Sequence, residues 1–144
     1  MNIAQTDEEI LACFEVMKQL RPLLTEDTWL STIRHMQQEG YHLAWLGDGK
    51  SVTAVAGYYY CHKLSVNGRS LDVYDLVTDQ AHRSEGFGKR MIDALKELAR
   101  EEGCVTLELD SGVQRFGAHR FYLREGFHIA SHHFACPLSQ DASN

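Results

Sequence analysis

Residues 83–88 read RSEGFG, and a long amphipathic run follows them without a break. The chain has only eleven glycines, yet two of them stand here one residue apart, beside an arginine. Downstream, Met91, Ile92, Leu95, Leu98 and Ala99 recur at helical spacing. They predict a helix over about 87–102, closed by Gly103 just past its end. The first amides of such a helix have no internal acceptors, and its dipole makes that end positive. Gly86 and Gly88 keep β-carbons out of the approach, and Arg83 can add a charge-assisted contact. The combination suits a pyrophosphate.

Three glycine-rich patterns compete for this loop. A P-loop needs G-x-x-x-x-G-K-[ST], but here Lys89 is followed by Arg90 and the four-residue spacer is missing. A dinucleotide fingerprint needs a third glycine where Met91 stands. The pattern R-x-x-G-x-G remains, and alone it also fits a plain turn that starts a helix.

Outward from the loop, the chain reads as alternating elements. NIAQ at the start suits a short edge strand. Thr6 and Glu9 form a capping-box pattern, followed by one helical run with Ile10, Phe14, Met17 and Leu20 on a face. Thr25 caps a second helix that Gly40 closes. Residues 41–79 are rich in β-branched and aromatic side chains and predict three antiparallel strands. Asn67–Gly68 suits a two-residue type I′ hairpin. After the glycine loop and its helix, CVTLELD alternates, with Val105, Leu107 and Leu109 on one face and Thr106, Glu108 and Asp110 on the other. A short helix over roughly 116–125 ends at Gly126, and FHIASHHFACPL, residues 127–138, predicts a last strand. The order β-α-α-β-β-β-α-β-α-β implies an α+β fold, a mixed and mostly antiparallel sheet with helices on both faces.

Composition bounds the function. With 144 residues, 44% hydrophobic and 24% charged, the chain fits one globular domain, residues 1–144. No apolar run spans a membrane. The N-terminus lacks the basic and apolar regions of a signal peptide, so a cytoplasmic location is expected. A formal net charge of −6 argues against a general nucleic-acid binder. The four cysteines form no C-x-x-C pair and read as buried hydrophobes in a reducing compartment. His128 and His132 fall in the predicted last strand, about 13 Å apart, too far to share an ion, and no metal is expected.

A second stretch resolves the loop. AHRFYLREGF, residues 118–127, has the form A-x-x-F-Y-x-x-x-G-F. Together the two stretches resemble the GNAT superfamily of acyl-CoA N-acyltransferases, and the element order resembles that fold over nearly the whole chain. The resemblance implies a sheet of six to seven strands, splayed at the cofactor between the strands of Val77 and Leu107. It implies that Arg83, Glu85, Gly86, Phe87, Gly88 and Lys89 cradle the coenzyme A pyrophosphate and that the backbone of Leu76 and Val77 follows the pantetheine arm. Ala118 and Phe121 join the coenzyme's surroundings, although Phe121 also reads as a core aromatic. Many members carry Asn three residues before the alanine; Arg115 stands there in this chain.

The implied activity is transfer of the acetyl group of acetyl-CoA to a primary amine of a small molecule, by direct attack in a ternary complex. Tyr122 is the implied acid for the leaving thiolate. Asp75, on the strand that contacts the cofactor, is a candidate base or amine-binding anion, and Asp110 is a second. Trp29, in the region joining the first two helices, Tyr59 and His133 are candidates for acceptor binding. AHRFYLREGF followed by SHHF is also similar to aminoalkylphosphonate N-acetyltransferases. A peptide or protein N-terminus as acceptor, and a non-catalytic acetyl-CoA sensor, are the alternatives. Relatives that pair through their C-terminal strands imply a homodimer.

Overall fold

The capping box forms at the N-terminus. Thr6 Oγ1 accepts from the Glu9 amide at 3.2 Å, and Glu9 Oε2 accepts from the Thr6 amide at 3.0 Å. This begins α1 (Asp7–Ala12). The expected single helix is broken at Cys13, where the amide bonds back three residues to Ile10 at 3.1 Å. That tightened turn starts α2 (Phe14–Leu20) in a phase that buries Ile10, Phe14 and Met17 in one core. The third helix, α3 (Glu26–Gln38), follows Thr25, whose hydroxyl pairs with Thr28 Oγ1 at 2.8 Å and caps no amide. Gly40, at φ +97°, turns the chain into the sheet.

The computed structural model describes residues 1–48 and 51–139. They fall into two compact units, Met1–Leu109 and Asp110–Asn144. The first unit carries five strands, β1 (Asn2–Ile3), β2 (His42–Gly47), β3 (Val52–Lys63), β4 (Gly68–Thr78) and β5 (Thr106–Leu109), in spatial order β1-β2-β3-β4-β5. All neighbours are antiparallel except β4 and β5, which are parallel. The crossover between those two holds α4 (Phe87–Glu101). One face of the sheet packs Leu43, Val55 and Val77 against Ile10, Phe14, Trp29 and Ile33 of α1–α3. The other packs Ala56, Leu71 and Val73 against Met91 and Leu95 of α4. The mixed, mostly antiparallel sheet with helices on both faces is thus as expected, with five strands in place of six to seven.

Three local expectations fail for physical reasons. Residues 127–138 form no strand and are largely exposed. Their alternation runs out at the polar trio Ser131, His132 and His133, which gives neither face a continuous apolar edge, and Pro137 has no amide to donate. The separation argument for His128 and His132 lapses with that strand. The Asn67–Gly68 hairpin is four residues long instead of two: Lys63 pairs with Gly68, and Asn67 takes the left-handed position at φ +48°. Gly68 is a strand residue, where a Cβ would meet Val105 at 2.9 Å. Val105 is itself exposed, off the face shared by Leu107 and Leu109.

A β-bulge decides what β4 presents. Gly57 pairs with Asp75 while Tyr58 pairs with Val73, so Tyr74 is the extra residue. Leu71 and Val73 face α4; beyond the bulge the alternation flips, and Val77 joins the core under α1–α3. Pairing of β4 with β5 ends at Val73 and Leu109. The strands that hold Val77 and Leu107 therefore separate beyond this point, leaving residues 75–78 of β4 paired only to β3.

The second unit holds α5 (Phe116–Arg124), which ends at Gly126 with φ +92°. The Phe127 amide reaches back to the Tyr122 carbonyl at 3.0 Å. Tyr122 is buried, with ring centroids 5.4 Å from Phe121 and 5.7 Å from Phe127. No described helix of the chain is long and apolar enough to cross a membrane.

Gly57 is fixed by a close approach, because a Cβ there would lie 1.6 Å from Tyr41 Oη. Gly57→Ala is expected to cost about 1–3 kcal/mol through overpacking. In urea titrations, the Gly57→Ala/Tyr41→Ala double variant is expected to lose less than the sum of the single losses, by about 1 kcal/mol. Strict additivity would show that the two residues do not compete for this space.

Candidate active site

The loop between β4 and α4 is built from local hydrogen bonds. Asp79 caps a short 3₁₀ turn (Gln80–His82) by accepting from the Ala81 amide at 3.4 Å. Gln19 on α2 holds the same turn twice: its Nε2 donates to Asp79 Oδ1 at 2.9 Å, and its Oε1 accepts from the Gln80 amide at 2.9 Å. The Gln19 bond lowers the Asp79 pKa, which keeps it ionised. His82 Nδ1 lies 2.9 Å from Glu85 Oε2, and its other nitrogen lies 3.9 Å from Asp79. The hydrogen bond to Glu85, aided by the charge of Asp79, raises the His82 pKa.

Ser84 and Gly86 are both left-handed, at φ +68° and +81°. Gly86 is the N-cap of α4 and supplies no capping side chain. A Cβ on Gly86 would meet nothing within 4 Å, so its space inside the protein is open; the backbone conformation is what asks for glycine. The Arg90 amide closes the first helical turn on the Gly86 carbonyl at 3.0 Å. The amides of Phe87 and Gly88 precede that closure and have no acceptor within the helix. The Arg83 side chain is exposed. Phe87 is buried against the edge of His82, so it can offer a ligand only its backbone. Glu85 is engaged by His82, and Lys89 pairs with Asp93 at 2.9 Å. This arrangement fits a diphosphate: the first amides of a positive helix end, a bare N-cap and one exposed guanidinium. Leu76 and Val77 lead into it along the length of β4 that β5 leaves unpaired.

A second feature lies under α2 and α3. A cavity of about 370 Å³ is lined by apolar side chains that include Met17, Leu24, Trp29, Ile33 and Met36, with Tyr41 and Asp75 on the sheet side. The bulge at Tyr74 turns Asp75 toward this face. Its Oδ2 accepts from Tyr41 Oη at 2.8 Å, and its Oδ1 accepts from Arg21 Nε at 2.9 Å. Arg21 also donates to the Tyr74 carbonyl at 2.9 Å. Burial, then the Asp75 charge, pushes the Tyr41 hydroxyl well above its ordinary range, so it remains a donor. Trp29 is locked by its Nε1 bond to the Ile10 carbonyl at 2.7 Å and wedges one wall of the cavity.

The remaining sequence candidates are placed as follows. Tyr59 packs between Tyr41 and Tyr74, with centroids 5.3 and 5.1 Å away, and does not line the cavity. Glu108 is tied to Lys63 at 2.6 Å, as is Asp72. In the second unit, Asp110 lies past the end of β5 and is exposed, with Oδ2 3.4 Å from His133 Nδ1. Ala118 and Phe121 are half-buried on α5, and burial raises the Tyr122 pKa. Arg115 is the N-cap of α5 without a side-chain cap bond.

The sequence reading missed Gln19, Arg21 and Tyr41. A glycine inside a strand, Gly57, was the available signal that some bulky group approaches the backbone there.

Comparisons with known proteins bear on the family and the fold. Residues 3–127 match the model of the acetyltransferase (GNAT) family. A Bacillus subtilis (strain 168) protein named as an uncharacterized N-acetyltransferase, YhdJ, is 35% identical over 141 residues, covering 96% of this chain and 98% of its own. An aminoalkylphosphonate N-acetyltransferase of Salmonella typhimurium is 28% identical over 93 residues, 65% of this chain and 45% of its own. Among solved structures, an aminoglycoside N-acetyltransferase in complex with CoA superposes with a TM-score of 0.78 at 19% identity, covering 94% of this chain and 93% of its own.

The α4 N-terminus generates a direct test. Gly86→Val puts a β-branched residue at φ +81°, and Gly88→Val puts one beside the second amide of the helix. Each is expected to raise the Kd for acetyl-CoA at least tenfold, about 1.4 kcal/mol, by calorimetry on protein whose far-UV spectrum is unchanged. Wild-type affinity in both folded variants would rule the loop out as the anion site.

Proposed function

The chain belongs to the acetyltransferase (GNAT) family, and from that premise we propose that it moves the acetyl group of acetyl-CoA to a primary amine of a small molecule, with both substrates bound together. One observation carries the reading. Helix α2 supports both features at once: Gln19 holds the turn before the anion-binding loop, and Arg21 holds Asp75 at the cavity. The modest cavity volume of about 370 Å³ favours a small acceptor over a peptide.

The chemistry sets three demands on the chain. An alkylammonium with pKa about 10.4 is neutral in only about 0.04% of molecules at pH 7, so supplying the free amine accounts for about 4.6 kcal/mol of the barrier. Asp75 answers this by holding the amine, with the proton leaving through water; Asp110 is the second candidate for accepting it. The amine nitrogen then attacks the thioester carbonyl. The N–C bond forms, the developing oxyanion is met by a backbone amide near Val77, and the C–S bond breaks. Tyr122 returns a proton to the departing thiolate. Its raised pKa means that it still carries that proton at neutral and mildly alkaline pH.

The reading includes a cytoplasmic setting, in keeping with four cysteines that form no disulfide. It also includes a homodimer built through residues 127–138, where Ile129, Phe134 and Leu138 are exposed. Sedimentation at tens of micromolar is expected to show the dimer; a monomer alone would remove it.

The decisive variant is Tyr122→Phe, which keeps the ring and loses the hydroxyl. With acetyl-CoA and an accepted amine, kcat and kcat/KM are both expected to fall by roughly 10²–10⁴ while acetyl-CoA affinity stays the same. Burial raises the Tyr122 pKa, so the wild-type alkaline limb is expected above the ordinary value near ~10, and it is expected to vanish in the variant. Wild-type kcat with an unchanged limb, together with a lower Tm, would make Tyr122 a packing residue only. Thioester consumption across an amine panel tests the activity itself; tight acetyl-CoA binding without turnover on any amine would favour a sensor.

A further inference from the structure

We infer that the cavity under α2 and α3 selects a singly cationic amine on an apolar body, and that Asp75 exchanges Arg21 for the ammonium of that acceptor. The inference rests on the reading that this cavity receives the acceptor, and it names the acceptor's class.

The two charges of the cavity are held unequally. The Asp75 side chain is 14% exposed, whereas that of Arg21 is 51% exposed. Asp75 is anchored from the sheet by Tyr41, and the Tyr41 hydroxyl lies where Gly57 leaves room for it. The carboxylate is therefore the fixed charge and the guanidinium the movable one. Arg21 can swing into solvent at little cost, or keep its bond to the Tyr74 carbonyl while releasing Asp75. An incoming ammonium then takes the Oδ1 bond, and the buried carboxylate stays paired throughout.

An anionic acceptor meets the opposite situation. Arg21 is the one cation among the described residues lining the cavity. Its charge is already compensated by Asp75 at 2.9 Å, so an anion entering here meets a neutralised cation with a carboxylate beside it. A zwitterion with a carboxylate or phosphonate meets the same obstacle at its acidic end. Apart from Thr32 and Tyr41, the rest of the wall is apolar: Met17, Leu23, Leu24, Trp29, Ile33 and Met36. The volume of about 370 Å³ equals roughly a dozen waters at about 30 Å³ each, which suits an alkyl or aryl body of about that many heavy atoms. The acceptor class that matches is an arylalkylamine or medium-chain alkylamine. The likeness to an aminoalkylphosphonate N-acetyltransferase points elsewhere, and the lining residues favour the apolar amine.

Calorimetry on protein saturated with coenzyme A tests this with 2-phenylethylamine, hexylamine and 2-aminoethylphosphonate. The two apolar amines are expected to bind at least tenfold more tightly than the phosphonate. Asp75→Asn is expected to weaken 2-phenylethylamine at least tenfold. Arg21→Gln is expected to tighten it at least threefold, because the competing cation is gone; this second variant decides the matter where Asp75→Asn fails to fold. Tighter binding of the phosphonate, loss of amine binding in Arg21→Gln, or no binding of either apolar amine at millimolar concentration would overturn the inference. Turnover separates it from the parent reading. Apolar amines that bind through Asp75 but release no coenzyme A thiol would uphold the cavity's selectivity and sink the transferase assignment. Acetylation that favours the phosphonate would do the reverse.

Discussion

The Tyr41–Asp75 hydrogen bond is the contact on which the acceptor side depends. It spans the width of one strand, from the start of β2, over β3, to β4. It forms because Gly57, on the strand between, has no side chain: a methyl there would sit inside the tyrosine's hydroxyl and ring carbons. It also needs the bulge at Tyr74, since without that extra residue Asp75 would share the face of Leu71 and Val73 and lie in the core under α4. Two backbone features, neither chemically reactive, thus put a carboxylate at the foot of an apolar cavity. The carboxylate would be costly there alone. Tyr41 and Arg21 make it tolerable, and only Tyr41 is itself buried.

Helix α2 then links the two ligand features. Near its C-terminal end Gln19 reaches the turn before α4 and Arg21 reaches β4. Both contacts cross more than fifty positions of sequence, and both end on the stretch of β4 and loop that precedes the helix N-terminus. Ile10, Phe14 and Met17 keep helical spacing across the short break at Cys13, so α1 and α2 bury one stripe while Gln19 and Arg21 reach the loop and the strand. Cys13 itself is a packing residue; burial raises its thiol pKa to about 12, which leaves it unreactive at neutral pH.

Much of the fold was legible because its signals are local. The capping box at Thr6, the left-handed glycines at 40, 103 and 126, and the stripe on α4 each depend on residues within one or two turns. The start of α4 was legible for the same reason, with Gly86 at its N-cap. What sequence could not give were contacts set by register. The bulge at Tyr74 shows no motif, and shifting one residue decides whether Asp75 meets the helices or the opposite core. Arg21 and Gln19 look like ordinary solvated residues at the end of a helix until the distant strand is placed beside them. The last strand was misread because apolar residues over 127–129 and 134–138 suggested a continuous face that the polar trio at 131–133 interrupts. Of the second motif, the burial of Tyr122 follows from the sequence, since α5 is short and its aromatics cluster with Phe127; its chemical role is not something packing can express.

The charges around the proposed anion loop bear on how an acidic chain would hold a polyanion. Formal charges there largely cancel in pairs. His82 faces Glu85 and Asp79, and Lys89 faces Asp93. These pairs shape the loop rather than furnish a free positive field. What remains for the proposed ligand is the row of early α4 amides and the exposed Arg83. Backbone amides at a helix end act over short range and in fixed directions, so they discriminate by geometry, and a net charge of −6 opposes them only weakly at contact distance once salt screens it. The same economy appears at the cavity, where a single carboxylate is held in place from the sheet by Tyr41. In both places the chain uses one oriented group in a position fixed by the backbone, and leaves the surrounding ion pairs to hold that backbone still.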